Sequence, residues 1–218
     1  MKHLVTITVL FCLLSPVLKA QSWSDPFPTK NSYGRNNMKL NDIQGSPYLD
    51  DQYINGTVIT KDGVLYKDIP LRYNCFNDVL EIRKDDTAYD LMPKDKISRA
   101  EFGGQIFSYL DYEEGGKAYF KILAEGKAKL GARYFINFYE QEELKGFAEA
   151  KPARFDDLVE TFWVIIDDAP ARKILNNKTL LEILGDKKSE IQSYINKQKL
   201  SIKKVNDLKK IINYYNTL

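Results

Sequence analysis

Between residues 52 and 167 the chain is cut by a turn signal about every ten residues. Asp62-Gly63, Asn77-Asp78, Asp85-Asp86, Gly103-Gly104, Gly115-Gly116 and Gly126-Lys127 fall between runs 53–60, 64–75, 79–84, 87–92, 105–112, 117–125, 129–139, 144–150 and 159–167. Such runs are short for helices and rich in Val, Ile, Tyr and Phe, which suit a pleated surface. Tight turns join only antiparallel neighbours, because a parallel crossover needs a dozen or more residues. Asp62-Gly63 is the strongest two-residue hairpin signal, since Asp and Gly accept the positive φ such turns demand. The expectation is an antiparallel meander over about 52–167, curled into a half-barrel or sandwich.

Alternation assigns faces within that sheet. Ile69, Leu71, Tyr73 and Cys75 share one face of a strand; Pro70, Arg72, Asn74 and Phe76 share the other. Ala132, Tyr134, Ile136 and Phe138 oppose Arg133, Phe135, Asn137 and Tyr139, and apolar residues on both faces imply a second layer. Residues 177–217 offer it. Leu180, Ile183 and Leu184 mark one helix; Ile191, Tyr194 and Ile195 a second; Val205, Leu208, Ile211, Ile212 and Tyr215 a third, all at three-to-four spacing. Asn177 and Ser201 are the expected N-caps of the first and last. The fold class is therefore α+β, with C-terminal helices packed on the sheet and residues 45–218 forming a single domain.

The chain begins with Lys2, an apolar run over 4–14, a helix-breaking Pro16, and Ala20 before Gln21. That is the layout of a secretory signal peptide over 1–20, with an apolar run too short to span a bilayer. Cys12 lies inside the run, not at its end after a small residue, so it is no lipid-attachment cysteine. Residues 21–44 are polar, carry two prolines and show no periodicity, which reads as an extended or poorly ordered leader. No later stretch reaches the roughly 18 apolar residues of a membrane helix. Export follows, to a periplasmic or secreted destination, with no transmembrane segment in the mature protein.

Cleavage after Ala20 would change the chemistry. The chain's one His is His3, and one of its two Cys is Cys12. A mature chain without imidazole has no Ser-His-Asp or Cys-His site and no histidine proton shuttle. Cys75, left alone, forms no internal disulfide and reads as a small buried hydrophobe on the apolar face of its strand. No EF-hand loop, P-loop or dinucleotide fingerprint occurs, so neither metal nor cofactor is expected. The surviving catalytic option is a carboxylate pair, drawn from Asp50-Asp51, Asp85-Asp86, Glu113-Glu114, Glu142-Glu143, Asp156-Asp157 and Asp167-Asp168. Nearly all stand at run boundaries, where Asp favours turns by bonding local backbone.

Charge is unevenly distributed. Residues 176–218 hold nine lysines against four acids; residues 21–175 hold 21 basic against 26 acidic side chains. The near balance over the mature chain argues against nucleic acid as a partner. The opposite signs suggest helices electrostatically matched to the sheet. A second use of the lysine-rich tail is contact with an anionic membrane surface through Lys203, Lys204, Lys209 and Lys210. Asn55-Gly56-Thr57 and Asn177-Lys178-Thr179 fit the N-glycosylation pattern, which matters only in a host that reads it.

Candidate binding residues are Arg72 and Asn74, and Arg154 with Phe155. Arg72 interrupts a strand of large apolar residues, and a strand arginine pairs with an internal carboxylate or recognises one on a ligand. Gly45-Ser46-Pro47-Tyr48-Leu49, Pro70-Leu71-Arg72-Tyr73-Asn74, Ala150-Lys151-Pro152-Ala153-Arg154-Phe155 and the closing Tyr214-Tyr215-Asn216 resemble a family of exported proteins of Bacteroidetes-type bacteria. The resemblance spans residues 45–216. It implies export, a didermic source and a shared architecture, and brings no activity or catalytic residues. The expected function is a non-enzymatic envelope or extracellular protein binding a partner protein, glycan or lipid. A carboxylate-based glycoside hydrolase and an acyl-chain carrier are the alternatives.

Overall fold

The turn signals fix the hairpins through backbone geometry. Asp85 and Asp86 both adopt positive φ (48° and 58°), as do Gly103 and Gly104 (57° and 69°). Two consecutive residues of this kind make the tight turn whose twist matches that of antiparallel strands. Accordingly Lys84 pairs with Thr87, and Phe102 with Gln105.

The computed structural model describes residues 20–21, 29–31, 43–141 and 151–218. In chain order its strands are β1 Ala20–Gln21, β2 Thr29–Asn31, β3 Ile54–Thr60, β4 Leu65–Asn74, β5 Val79–Lys84, β6 Thr87–Leu91, β7 Ile97–Phe102, β8 Gln105–Asp111, β9 Lys117–Ala124, β10 Ala128–Phe135, β11 Phe138–Tyr139, β12 Arg154–Phe155, β13 Val159–Ile166 and β14 Arg172–Lys173. The helices are α1 Asn177–Ile183, α2 Lys188–Gln198 and α3 Val205–Tyr215. The expected run 144–150, the leader apart from residues 29–31 and 43–44 and its first residue, and the signal segment before Ala20 lie outside the described residues. The strand β7 had no counterpart among the expected runs. Its sequence, Ile-Ser-Arg-Ala-Glu-Phe, lacks β-branched residues after Ile97, and only the Gly103-Gly104 turn called for a strand before it as well as after.

The sheet order is β14-β13-β10-β9-β8-β7-β3-β4-β5-β6-β2, antiparallel throughout, with β1 lying parallel to β4. Two meanders thus leave opposite edges of β3. One runs through β4, β5 and β6; the chain then crosses back to β7 and continues through β8, β9, β10 and β13. The strands β11 and β12 form a separate two-stranded ribbon. In a flat sheet β4 and β8 would stand three strand spacings apart, about 14 Å. Yet the Tyr73 ring lies 5.1 Å from Phe107 and 6.1 Å from Tyr119, so the sheet coils strongly and closes its concave face on itself.

That concave face holds one core, built on Ile69, Leu71, Tyr73 and Cys75 as alternation requires. A second core lies farther along the same face, where Ala128, Leu130 and Val164 meet Leu180, Ile191, Leu208 and Ile212 of the helices. These side chains pack together between sheet and helices. A third cluster, around Phe120, Trp163 and Ile165, covers the opposite face. Helices and curled sheet therefore share one continuous surface as their base.

The α3 apolar stripe, Leu208, Ile211, Ile212 and Tyr215, is buried on this base, leaving Lys203, Lys204 and Lys210 exposed. Among the described residues no helix is long and apolar enough to cross a membrane. Two cap assignments shift. Asn176, not Asn177, caps α1 by accepting from the Thr179 N–H. Ser201 stands three residues before the actual N-cap, Lys204; its own N–H is held by Asp207 from the first turn of α3. Among the described residues an ion pair between sheet and helices, Lys127 with Asp186, puts the base on the sheet side and the acid on the helical side, opposite in sense to the regional charges.

A polar pin fixes the same junction. The Asn216 amide accepts from the Ala128 N–H (2.8 Å) and donates to the carbonyls of Ala128 (2.9 Å) and Glu125 (3.2 Å). One side chain thereby satisfies backbone at the β9–β10 turn that no strand reaches. Gly126 adopts φ +143°, and a Cβ there would collide with this amide.

Candidate functional site

Alternation along β4 aims Arg72 and Asn74 away from the core, and antiparallel register sets Glu81 of β5 directly opposite Arg72. A loop over residues 45–53 lies across them. It is tied down where Cys75 N–H donates to the Pro47 carbonyl (2.8 Å) and Leu49 N–H to the Tyr73 carbonyl (3.0 Å). This brings Tyr48 and Tyr53 onto Arg72, whose guanidinium carbon sits 3.5 Å and 4.3 Å from their ring centres. Both rings present their negative faces to the cation.

The Glu81 carboxylate is almost wholly buried, at 1% exposure, and collects the network. Its Oε2 accepts from Arg72 Nε (3.0 Å), Arg72 Nη2 (2.8 Å) and Tyr53 OH (3.4 Å); its Oε1 accepts from Asn74 Nδ2 (3.0 Å) and Tyr48 OH (3.5 Å). Arg72 also donates to Tyr48 OH (2.6 Å) and to the Asp51 carbonyl (3.3 Å), so four of its five N–H groups are engaged. Burial is the largest influence and opposes the guanidinium charge, but Glu81, Tyr48 and Tyr53 together outweigh it and hold the pKa above the ordinary arginine value. Asn74 completes the set by accepting the Asn77 N–H. Chemically this is a brace that clasps the loop to β4 and β5.

Arg154 and Phe155 lie in the ribbon at the other end of that loop. Gln44 N–H donates to the Ala153 carbonyl, and Phe155 N–H to that of Gln44. Arg154 stands 4.8 Å over the Tyr139 ring, while Phe155 packs with Phe138 and Phe76 at 5.1 Å and 5.5 Å. Segments 45–49, 70–74 and 151–155, distant in sequence, thus meet around one loop. Arg72 and Asn74 share a carboxylate; Arg154 and Phe155 belong to a separate aromatic cluster whose exposed members are Phe76 and Tyr139.

Most of the paired carboxylates serve local structure. Asp85-Asp86 and Asp167-Asp168 occupy left-handed turn positions. Asp50 accepts the Gln52 N–H, Asp51 the Ser46 hydroxyl, Asp156 the Tyr139 hydroxyl, and Glu113 pairs with Arg172. The pair Glu142-Glu143 lies outside the described residues. Among the described residues no group of three or more His, Cys, Asp or Glu is placed to hold a metal ion. Cys75 is buried, which pushes its thiol up to about 12 and leaves it protonated.

A carboxylate that sequence reasoning left in a turn proves central to the closure of the coil. Asp78 accepts from Tyr73 OH (2.7 Å) and from the Tyr119 N–H of β9 (3.0 Å). The β9–β10 pairing runs from Ala124 to Lys121, so beyond it Asp78 supplies the acceptor that the diverging strand no longer offers. Burial raises its pKa above the usual carboxylate value, against the lowering pull of Tyr73, Lys94 and the Tyr119 N–H. Adjacent Tyr119 is itself buried, and its hydroxyl has no hydrogen-bond partner among the described residues.

The remaining concentration of aromatic and polar groups is on α2. Ser189, Glu190, Ser193, Tyr194, Lys197 and Gln198, together with Tyr214 of α3, line an open groove of about 560 Å³. The Tyr194 and Tyr214 rings stack at 4.0 Å and 16°. Both are half-buried, whereas the expected helical stripe counted Tyr194 with the core residues Ile191 and Ile195. Spacing alone does not separate a core tyrosine from one at the stripe's edge. Compared with known proteins, the chain matches no family model, no curated protein and no solved structure.

Proposed function

We propose that this is an exported protein of a bacterial envelope or its surroundings that works by binding, with the α2–α3 groove as its contact surface. The observation that carries the reading is the state of the groove's polar side chains. Ser189, Glu190, Ser193, Lys197 and Gln198 make no hydrogen bond or ion pair with any described residue, although they surround a stacked aromatic pair. An apolar platform with polar groups converging on it is the usual form of a ligand site. Export is supported by the N-terminal layout of Lys2, the apolar run and Ala20.

Purification from the source envelope followed by native mass spectrometry tests the binding reading, and N-terminal sequencing of the same material tests export. A retained ligand or protein, on a chain beginning at Gln21, is the expected result. A bare chain that turns over a glycoside or ester, with turnover abolished by one carboxylate substitution, would overturn the binding reading. A chain beginning at Met1 in the cytosol would overturn export.

A further inference from the structure

Resting on that binding reading, we infer that the α2–α3 groove takes a neutral oligosaccharide, stacked on the Tyr194–Tyr214 pair and hydrogen-bonded by the side chains of α2. Three features of the groove select this chemistry.

The first is the platform. An aromatic face is electron-rich and attracts the slightly positive hydrogens of an opposing surface, as in edge-to-face ring packing. A pyranose with equatorial hydroxyls presents such a surface, because its axial C–H bonds point together from each face of the ring. Two tyrosines only 4.0 Å apart and nearly parallel make a rigid block, which limits the ordering cost of binding.

The second feature is the mixture of partners. A sugar hydroxyl both donates and accepts, and so needs both kinds of group within reach. Ser189 and Ser193 offer hydroxyls, Gln198 an amide, Glu190 a pure acceptor and Lys197 a pure donor. Placing them on one face of α2 follows from sequence spacing: 189, 193 and 197 recur every four residues, as do 190, 194 and 198.

The third is charge. Glu190 and Lys197 line the same groove with opposite signs, so it favours neither an anion nor a cation, despite the lysine excess of the helical region as a whole. A phosphate or lipid headgroup would need a cationic lining, and a long acyl chain an apolar one. At about 560 Å³ and open to solvent, the groove suits a short oligosaccharide held weakly.

The test is an NMR titration of the full mature chain with β-linked glucose and N-acetylglucosamine tetrasaccharides. Shifts confined to residues 189–198 and 214 are expected, with the dissociation constant weakened at least tenfold in Tyr194→Ala and Tyr214→Ala. Tyr194→Phe, which keeps the ring, should bind within about threefold of the original. Ser193→Arg should block the groove while leaving the stack intact, so lost binding there does not depend on the alanine variants folding. Phe76→Ser, in the other exposed aromatic cluster, should bind normally. Sugar binding unaffected by Tyr194→Ala, Tyr214→Ala and Ser193→Arg would overturn this inference and leave the binding function standing at another site. No binding of either sugar overturns it too. Native mass spectrometry of the envelope-purified chain then separates a protein or lipid ligand, which keeps the broader reading, from the bare active enzyme that removes both.

Discussion

On the outer face of β4 an arginine lies between two tyrosine rings, its partners Glu81, Tyr48 and the Asp51 carbonyl close around it, and Asn74 holds the other oxygen of Glu81. On the outer face of α2 two tyrosine rings lie against each other, and the polar side chains beside them engage none of the described residues. The residue types are alike; the difference is how far each polar group is removed from water. A carboxylate taken out of water needs partners for its oxygens, so Glu81 organises its neighbours into one arrangement. Side chains left in water pay no such penalty and stay available. A cluster rich in Arg, Tyr and Asn is thus a poor guide to binding until its hydrogen bonds are assigned.

The comparison breaks first at Arg72. If the cluster is a brace, Arg72→Met leaves the buried Glu81 carboxylate without its cation and costs about 3–5 kcal/mol, the usual loss when one partner of a buried pair is removed. Urea unfolding should show a lower midpoint with an unchanged slope. Arg72→Met combined with Glu81→Leu should recover much of the loss, because no unpaired charge then remains. A folded Arg72→Met protein of near-original stability would show that the cluster is not structural.

The seam between sheet and helices ranks next. Asn216→Ala removes three hydrogen bonds and exposes the backbone polar groups of Ala128 and Glu125 they satisfied, a loss of about 1–3 kcal/mol. Hydrogen exchange should speed up at Ala128 and in α3 while the β4–β5 amides stay protected. Uniform acceleration would mean that the helices and the curled sheet unfold as one unit, not as two differently fastened parts.

How much of this contrast was legible in the sequence depends on which physical rule set each feature. Alternation separated Tyr73 from Arg72, and three-to-four spacing exposed the stripe of α3, because both follow from one element's own period. The β4–β5 hairpin put Glu81 within two turn-flanking strands of Arg72, yet register across the turn is a pairing property, so the carboxylate partner was not named beforehand. Asp78 meets Tyr119, 41 positions away along the chain. Nothing local marks that contact except a turn aspartate, which reads the same whether it faces water or a strand. Tyr194 marks α2 as its spacing predicts, but a helical stripe has edges, and only the packing of α3 shows on which side of the edge the ring falls.

Asp78 sharpens the comparison through pH. Its native pKa is raised by burial above the value of 3.8 expected when exposed, so the folded chain holds the proton more tightly than the unfolded one. By linkage, this group adds stability as pH falls through its native pKa toward about 4, and withdraws it as pH rises. Asp78→Asn keeps an acceptor for Tyr73 and Tyr119, tolerates the positive φ of 49°, and removes the buried charge. The variant should exceed the original in stability by up to about 1 kcal/mol near neutrality. Melting temperatures measured from pH 7 to pH 4 should show the gap narrowing. A gap that widens on acidification would mean the ionised carboxylate is the form the fold prefers.

The smallest effects belong to the groove, and their smallness is the test. Ser189→Ala, Ser193→Ala, Lys197→Ala and Gln198→Ala remove side chains with no partner among the described residues, and alanine is the best helix former. Each should change stability by no more than about 0.5 kcal/mol, the serine variants toward a gain. Tyr194→Ala loses the stack on Tyr214 and should cost about 0.5–1.5 kcal/mol beyond its buried area, still below Arg72→Met. Thermal denaturation of the five variants places them on one scale with the brace. If the four polar substitutions each cost as much as Asn216→Ala, the side chains of α2 are holding the fold together, and the distinction between a closed cluster and an open one fails at its open end.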